Sequence, residues 1–315
     1  MPATPVMGDG LPQPMLGMLG DEYDVFQWDL SKGSAALDTC VAVITYGHVA
    51  VDGALMDRMP RLKVISNHGV GVDHIDVAAA TERGLPVGNT PGCLNAGTAD
   101  MTMALLMASA RNIVVGDHFA RSPEFTHYDP AILIGREVTG STLGIVGMGR
   151  IGKEVVKRAS AFDMRILYHN RNRDEAGEAE LGVEYRSLDD LLRESDYVSL
   201  NCPLTPETTG MIGRAQLELM QPTATLINMA RGPVVVTDDL CEILTAGGIR
   251  GAALDVTDPE PLPRDHPLLK LENLVIAPHL GSASHRNRQR MMEMTIENLA
   301  AGLAGRELPY QVHSN

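Results

Sequence analysis

Thr142-Leu143-Gly144-Ile145-Val146-Gly147-Met148-Gly149-Arg150-Ile151-Gly152 is the stretch whose reading decides the fold. Its first five residues read as a buried strand, and the pattern from Arg150 to Phe162 reads as a helix, so Gly147 to Gly152 is a G-x-G-x-x-G set between the two. The first glycine permits a tight turn, the second lets a pyrophosphate approach the backbone, and the third allows the helix to pack closely on the strand. The helix N-terminus then faces phosphate charge. A glycine-rich turn that serves packing alone is the competing reading. The strand-turn-helix setting, with a further strand at Arg165 to His169, favours dinucleotide binding through Gly147, Gly149, Arg150, Ile151 and Gly152.

Downstream, Tyr197 to Leu200, Ala224 to Asn228, Gly251 to Leu254 and Leu274 to Ala277 read as four more strands, giving a six-stranded doubly wound sheet. Upstream, Val25 to Trp28, Val41 to Thr45 and Leu62 to Ser66 read as strands of a smaller α/β unit. Gly53 to Met59 and Asp76 to Arg83 read as its helices, the second closed by Gly84. The first twenty residues carry several Pro and Gly and no strand that the pattern can place. Ala99 to Arg111 reads as a long apolar helix packing between domains, and Phe119 to Gly140, with Phe125 and Tyr128, reads as loop-rich.

The length of 315 residues suits two domains, and 44% hydrophobic with 21% charged residues is the balance of a folded globular protein. The 26 Lys and Arg against 40 Asp and Glu leave a formal charge of −14, which repels nucleic-acid backbones and anionic membrane surfaces. The first basic residue is Lys32, so no signal or transit peptide is expected, and no apolar run is long enough to span a bilayer. A cytoplasmic location follows as the expectation. The four cysteines form no CxxC pair and the ten histidines no HExxH motif, so no metal is expected.

In a doubly wound sheet the ligand crevice lies beyond the carboxyl ends of the strands. Among the residues placed there, Arg231 can grip a carboxylate with two parallel hydrogen bonds, and His279 can move a proton near neutral pH. Glu260, in Asp258-Pro259-Glu260-Pro261, can hydrogen-bond the imidazole and favour its protonated form. Singly, Arg231 could pair with a surface acid, Glu260 could be a solvated turn residue and His279 a capped core histidine. Jointly, and beside a nicotinamide, the three make a reductase site for a 2-oxo acid.

These residues sit in motifs that carry a family resemblance. Gly69-Val70-Gly71-Val72-Asp73, the Gly147 to Gly152 loop, Asn228-Met229-Ala230-Arg231-Gly232, Asp255-Val256 with Pro259-Glu260-Pro261, and Ala277-Pro278-His279-Leu280-Gly281-Ser282 resemble the D-2-hydroxyacid dehydrogenase family. Within it, the chain is most similar to the glyoxylate/hydroxypyruvate reductase branch. The resemblance implies two Rossmann-like or flavodoxin-like α/β domains with parallel sheets. A dinucleotide domain at 96–282 would be inserted into a discontinuous substrate domain formed by 1–95 and 283–315. It implies that Arg231 binds the substrate carboxylate, His279 protonates the carbonyl oxygen, Glu260 orients His279 and raises its basicity, and Val70 and Gly71 offer backbone N–H groups. It further implies dinucleotide contacts from Thr98, Cys202, Pro203, Thr208, Met229, Ala230, Arg231, His279, Gly281 and Ser282, with Asp255 holding the nicotinamide carboxamide. The family is typically homodimeric, with an interface expected at the Ala99 to Ala110 helix and the Phe119 to Gly140 loop. The branch usually carries tryptophans where this chain has Phe125 and Tyr128, so the identity of the acid stays open. A larger 2-oxo acid is one alternative. A dinucleotide-sensing corepressor on the same fold is another, although a corepressor predicts a long tail and this chain ends at Asn315.

The acid that usually bonds the ribose 2′-hydroxyl would fall near residue 170. Here the sequence is His169-Asn170-Arg171-Asn172-Arg173. A neutral Asn170 with Arg171 and Arg173 suits a 2′-phosphate, so NADP(H) is expected over NAD(H), unless both arginines are merely solvated.

Overall fold

Alternating short apolar runs and helices build two parallel sheets. The computed structural model describes residues 3–28 and 35–313, and the chain divides into Met1–Leu94 with Ser284–Asn315 as one unit and Asn95–Ala283 as the other.

The first unit holds β1 (Thr4–Gly8), β2 (Tyr23–Gln27), β3 (Ala42–Thr45), β4 (Val64–Asn67) and β5 (Val87–Gly88), in the order β2-β1-β3-β4-β5 and all parallel. Every residue of β3 and β4 is buried, as in strands covered on both faces. The strand that sequence patterning could not place, β1, is interior to this sheet. Pro5 and Gly8 break its local signal, yet its ladder with β3 begins only at Val6, so the missing N–H of Pro5 falls outside that ladder. The two expected helices shorten to Gly53–Asp57 and Val77–Glu82. The Asp52 and Asp76 carboxylates cap them by accepting from the Leu55 and Ala79 N–H groups, and Gly84 follows the second at φ 66°. The C-terminal helix His285–Leu303 packs on this sheet. The Ser66 hydroxyl donates to the Thr295 carbonyl at 2.8 Å and the Asn298 amide to the Asn89 carbonyl at 3.0 Å.

The second unit holds β6 (Thr142–Val146), β7 (Arg165–His169), β8 (Glu184–Tyr185), β9 (Tyr197–Leu200), β10 (Thr225–Asn228), β11 (Gly251–Leu254) and β12 (Leu274–Ile276). The order is β12-β11-β10-β9-β6-β7-β8, so the sheet has seven strands where six were expected. The addition, β8, is two residues long and pairs with the edge of β7, where Arg165 and Glu184 form a double hydrogen bond at 2.9 Å each. A run that short has no period to read.

The apolar helix spans Asn95–Ala110. Its Ala99, Met103, Leu105, Leu106 and Ala110 share a core with Leu143 and Ile145 of β6 and with Val155 and Val156 of the helix Arg150–Ala159. Those side chains therefore pack inside the second unit, which corrects the expectation that they pack between domains. A further helix, Ile113–Arg121, includes Phe119, so the irregular stretch begins only after it. Among the described residues no helix is long and apolar enough to cross a membrane, and no His, Cys, Asp or Glu group could hold a metal.

Candidate active site

The order of the second sheet reverses between β6 and β9, and the glycine loop leaves β6 at that switch point. Gly147 adopts φ 96°, a left-handed value, and a Cβ there would lie 2.5 Å from the Cys202 backbone nitrogen. A Cβ on Gly152 would lie 2.6 Å from the Gly147 carbonyl oxygen, so the helix could not pack this closely with any side chain there. Gly149 differs: a Cβ there would meet no atom within 4 Å. Two glycines thus serve the protein's own packing, while the third borders open space at the N-terminus of a ten-residue helix, as a cradle for a pyrophosphate requires. Arg150 and Ile151 form the first turn of that helix.

Beyond β7, the Asn170 side chain turns inward and accepts the Met148 N–H at 2.7 Å, bracing the glycine loop. Arg171 is exposed. Arg173 makes a double hydrogen bond with Glu178 at 2.7 and 2.8 Å, and its guanidinium lies 5.6 Å from the centre of the Tyr185 ring. The two arginines are therefore unequal, which their spacing alone could not show. Beyond β9, burial pushes the Cys202 thiol up to about 11, which keeps it protonated. The Thr208 hydroxyl donates to the Pro203 carbonyl at 2.7 Å and fixes that loop.

The loops after β10, β11 and β12 emerge side by side. After β10, Asn228 uses both ends of its amide: Nδ2 donates to the Arg231 carbonyl at 2.9 Å and Oδ1 accepts the Ala230 N–H at 3.0 Å. This holds the turn Met229-Ala230-Arg231, with Met229 and Ala230 buried and the Arg231 guanidinium donating to the Ala230 carbonyl at 3.0 Å. Sequence reasoning assigns Asn228 no role; an Asn that ends a strand directly before a turn is the signal that marks it. A Cβ on Gly232 would lie 2.0 Å from the Thr257 carbonyl oxygen, so this turn rests directly on the loop that carries Glu260.

After β11, Asp255 is 3% exposed, and its two oxygens accept the N–H groups of Leu280 and Gly281 at 2.6 and 2.8 Å. Burial raises its carboxyl above the usual range, and these two hydrogen bonds act in the opposite direction. The His279 N–H also donates to the Asp255 carbonyl at 2.9 Å. His279 sits at φ 56°, a left-handed conformation uncommon for a non-glycine residue and held here by the Asp255 contacts on either side. Its Nδ1 lies 2.7 Å from Glu260 Oε1. The Thr98 hydroxyl donates to the Gly281 carbonyl at 3.2 Å, and Ser282 follows as a half-buried residue.

Val70 and Gly71 lie in the first unit, in the loop after β4. Asn67 Nδ2 donates to the Gly69 and Gly71 carbonyls at 3.0 and 2.9 Å, and Asn89 Nδ2 donates to the Val70 carbonyl at 2.8 Å. These three bonds engage the carbonyls of the loop. Phe125 and Tyr128 are exposed on the second unit, at 48% and 81%.

Residues 103–281 match the family model described as D-isomer specific 2-hydroxyacid dehydrogenase, NAD binding domain. The chain is 50% identical over 271 residues to a glyoxylate reductase of Korarchaeum cryptofilum, covering 86% of this chain and 81% of that relative. Among solved structures it is similar to a protein of Thermus thermophilus, with a TM-score of 0.88, 45% identity and coverage of 98% and 99%. It is also similar to an NADPH-dependent glyoxylate/hydroxypyruvate reductase of Sinorhizobium meliloti determined with NADP and malonate, with a TM-score of 0.89, 29% identity and coverage of 99% and 97%.

Proposed function

The chain belongs to the D-isomer specific 2-hydroxyacid dehydrogenase family, and on that premise we propose that it reduces glyoxylate or hydroxypyruvate to the corresponding 2-hydroxy acid. The observation that carries this reading is the 2.7 Å contact between His279 Nδ1 and Glu260, at the same carboxyl end of the sheet as Arg231 and in the unit that holds the glycine loop. A nicotinamide dinucleotide, when bound, supplies the hydride that adds to C2 of the acid. Arg231 binds the substrate carboxylate through its guanidinium. Glu260 keeps a proton on Nδ1, so the proton that passes to the carbonyl oxygen leaves from Nε2. Val70 and Gly71 orient the acid through their N–H groups, and Asp255 holds the His279 turn while lying where the carboxamide is expected. Turnover of a panel of 2-oxo acids tests the proposal. Wild-type rates in His279→Ala and Arg231→Ala would refute the assignment of the site.

We further infer a preference for NADPH, carried chiefly by Arg171. No acid stands between His169 and Arg173, Asn170 is occupied with Met148, and Arg173 is already paired with Glu178. Arg171→Ala is expected to raise KM for NADPH about tenfold with little effect on NADH. A tenfold wild-type preference for NADH would overturn the inference.

The enzyme is proposed to work in the cytoplasm as a homodimer. Ile113, Val114, Phe125, Ile132, Leu133 and Ile134 expose apolar area within one stretch of the second unit, with Ile134 at 75%. Light scattering should find a dimer that Ile134→Asp weakens. A wild-type monomer at micromolar concentration would refute this.

A further inference from the structure

Two asparagines hold the loop after β4, and they hold different peptides of it. In a planar trans peptide the N–H points opposite to the C=O, so a bond that fixes one carbonyl also fixes the N–H of the next residue. The Gly69 carbonyl, whose peptide carries the Val70 N–H, accepts twice, from Asn67 Nδ2 at 3.0 Å and from the Thr90 N–H at 2.9 Å. The Asn67 amide is itself fixed, because its Oδ1 accepts the Thr45 hydroxyl at 2.8 Å. The Val70 carbonyl, whose peptide carries the Gly71 N–H, accepts from Asn89 Nδ2 at 2.8 Å, and among the described residues no second donor reaches it. Asn89 lies just past β5, and its main chain is held from the C-terminal part of the same unit. Its N–H donates to the Tyr310 carbonyl at 3.0 Å, its carbonyl accepts from Asn298 Nδ2 at 3.0 Å, and Asn298 Oδ1 accepts the Tyr310 N–H at 3.1 Å. Asn298 is fully buried, and a Cβ on Gly88 would lie 2.6 Å from its amide, so β5 rests directly against it.

We propose that Asn89 is a positioning residue that sets the direction of the Gly71 N–H toward the acid, with the closed triangle of Asn89, Asn298 and Tyr310 as its mount. The inference rests on the reading of the chain as a 2-oxo-acid reductase in which the Val70 and Gly71 N–H groups orient the acid. A hydrogen bond from an N–H to a carboxylate is strong only when it is well aligned, and it weakens steeply as its angle closes. Without Asn89 Nδ2 the Val70–Gly71 peptide can turn about its flanking dihedrals, while the Gly69–Val70 peptide stays held by Asn67 and Thr90. Acid binding then loses one of two directed donors, and the groups that carry the proton and receive the dinucleotide, all in the second unit, are left as they were.

The test measures kcat and KM for glyoxylate and hydroxypyruvate, Kd for NADPH and NADH by fluorescence titration without acid, and thermal unfolding, in wild type, Asn89→Leu and Asn89→Gln. Leucine has nearly the shape of asparagine but no donor, and glutamine keeps the donor on a longer stem. Asn89→Leu is expected to raise KM for both acids about tenfold, with kcat and the dinucleotide Kd values within about twofold of wild type. Asn89→Gln should recover part of that loss. Asn89→Ala, which only removes atoms, gives the same comparison should the leucine variant fail to fold. An unchanged KM for the acids overturns the Asn89 proposal and leaves the reductase reading standing, as does a rise shared equally by acid and dinucleotide or a fall in kcat alone. A wild type that reduces neither acid overturns both.

Discussion

Replacing each glycine of the fingerprint by alanine separates the residue that serves the ligand from those that serve the fold. Gly149 has φ −85° and ψ −155°, values open to any residue, and its Cβ would meet nothing within 4 Å. Gly149→Ala therefore leaves the free protein nearly as stable as wild type. It loses only the advantage of glycine over alanine at a helix N-cap, about 1 kcal/mol or less. The same methyl group occupies the space through which a pyrophosphate must reach the backbone, so the dinucleotide Kd should rise about tenfold or more, roughly 1.4 kcal/mol. Gly147→Ala is the opposite case. A left-handed φ costs an L-residue about 1–2 kcal/mol, and the Cβ would also lie 2.5 Å from the Cys202 nitrogen and 2.7 Å from the Asn201 carbonyl carbon. Backbone atoms cannot swing aside as a side chain can, so a total loss of about 3 kcal/mol is expected. Urea unfolding without ligand measures the first quantity, and fluorescence titration with NADPH and NADH measures the second. A Gly149→Ala protein that binds dinucleotide like wild type, or that unfolds as early as Gly147→Ala, would refute the reasoning.

Three further outcomes follow from particular contacts. Asp255→Asn sets an amide N–H against the N–H of Leu280 or Gly281. It should cost about 1–3 kcal/mol and lower kcat about tenfold as the His279 turn relaxes, and an unchanged kcat would remove Asp255 from the positioning of His279. Gly232→Ala drives a Cβ into the Thr257 carbonyl, 2.0 Å away, and should displace the Glu260 loop; full activity at normal stability in this variant would contradict the packing described. The Arg165 hydrogen bond, the largest cause, lowers the Glu184 carboxyl to about 2. A lowered folded value means that its contribution is present above the unfolded carboxylate value and is lost as pH falls through about 2. The side chain is 45% exposed, so Glu184→Gln should cost about 1 kcal/mol or less at pH 7 and progressively less toward acid. A gap that widened as the pH fell would have the wrong sign.

Elements with a period, a flanking turn residue or a glycine signature were legible in the chain. Tyr197–Leu200 and Gly251–Leu254 are strands with the expected ends, and others shift by one or two residues, because a buried parallel strand writes itself as an unbroken apolar run. Thr4–Gly8 and Glu184–Tyr185 were not legible. One carries Pro and Gly and the other is two residues long, and each becomes a strand only through pairing with a neighbour. The helix Ile113–Arg121 went unread because it is exposed and starts at Asn112 in a left-handed conformation, without a side-chain cap.

By itself, the sequence determined the class of fold and the types of residue at the ends of the strands. Local spacing dictates where a strand stops, and in a parallel sheet the stops face the ligand. Only the tertiary structure decided what each of those residues is bonded to. Asn170 braces the glycine loop, Arg173 faces Glu178, and Asp255 holds the backbone of Leu280 and Gly281. His279 meets Glu260, nineteen positions away in the chain. A hydrogen bond depends on distance and direction to within a few tenths of an ångström. Those are set by how strands far apart in sequence are laid side by side, and no local pattern encodes them.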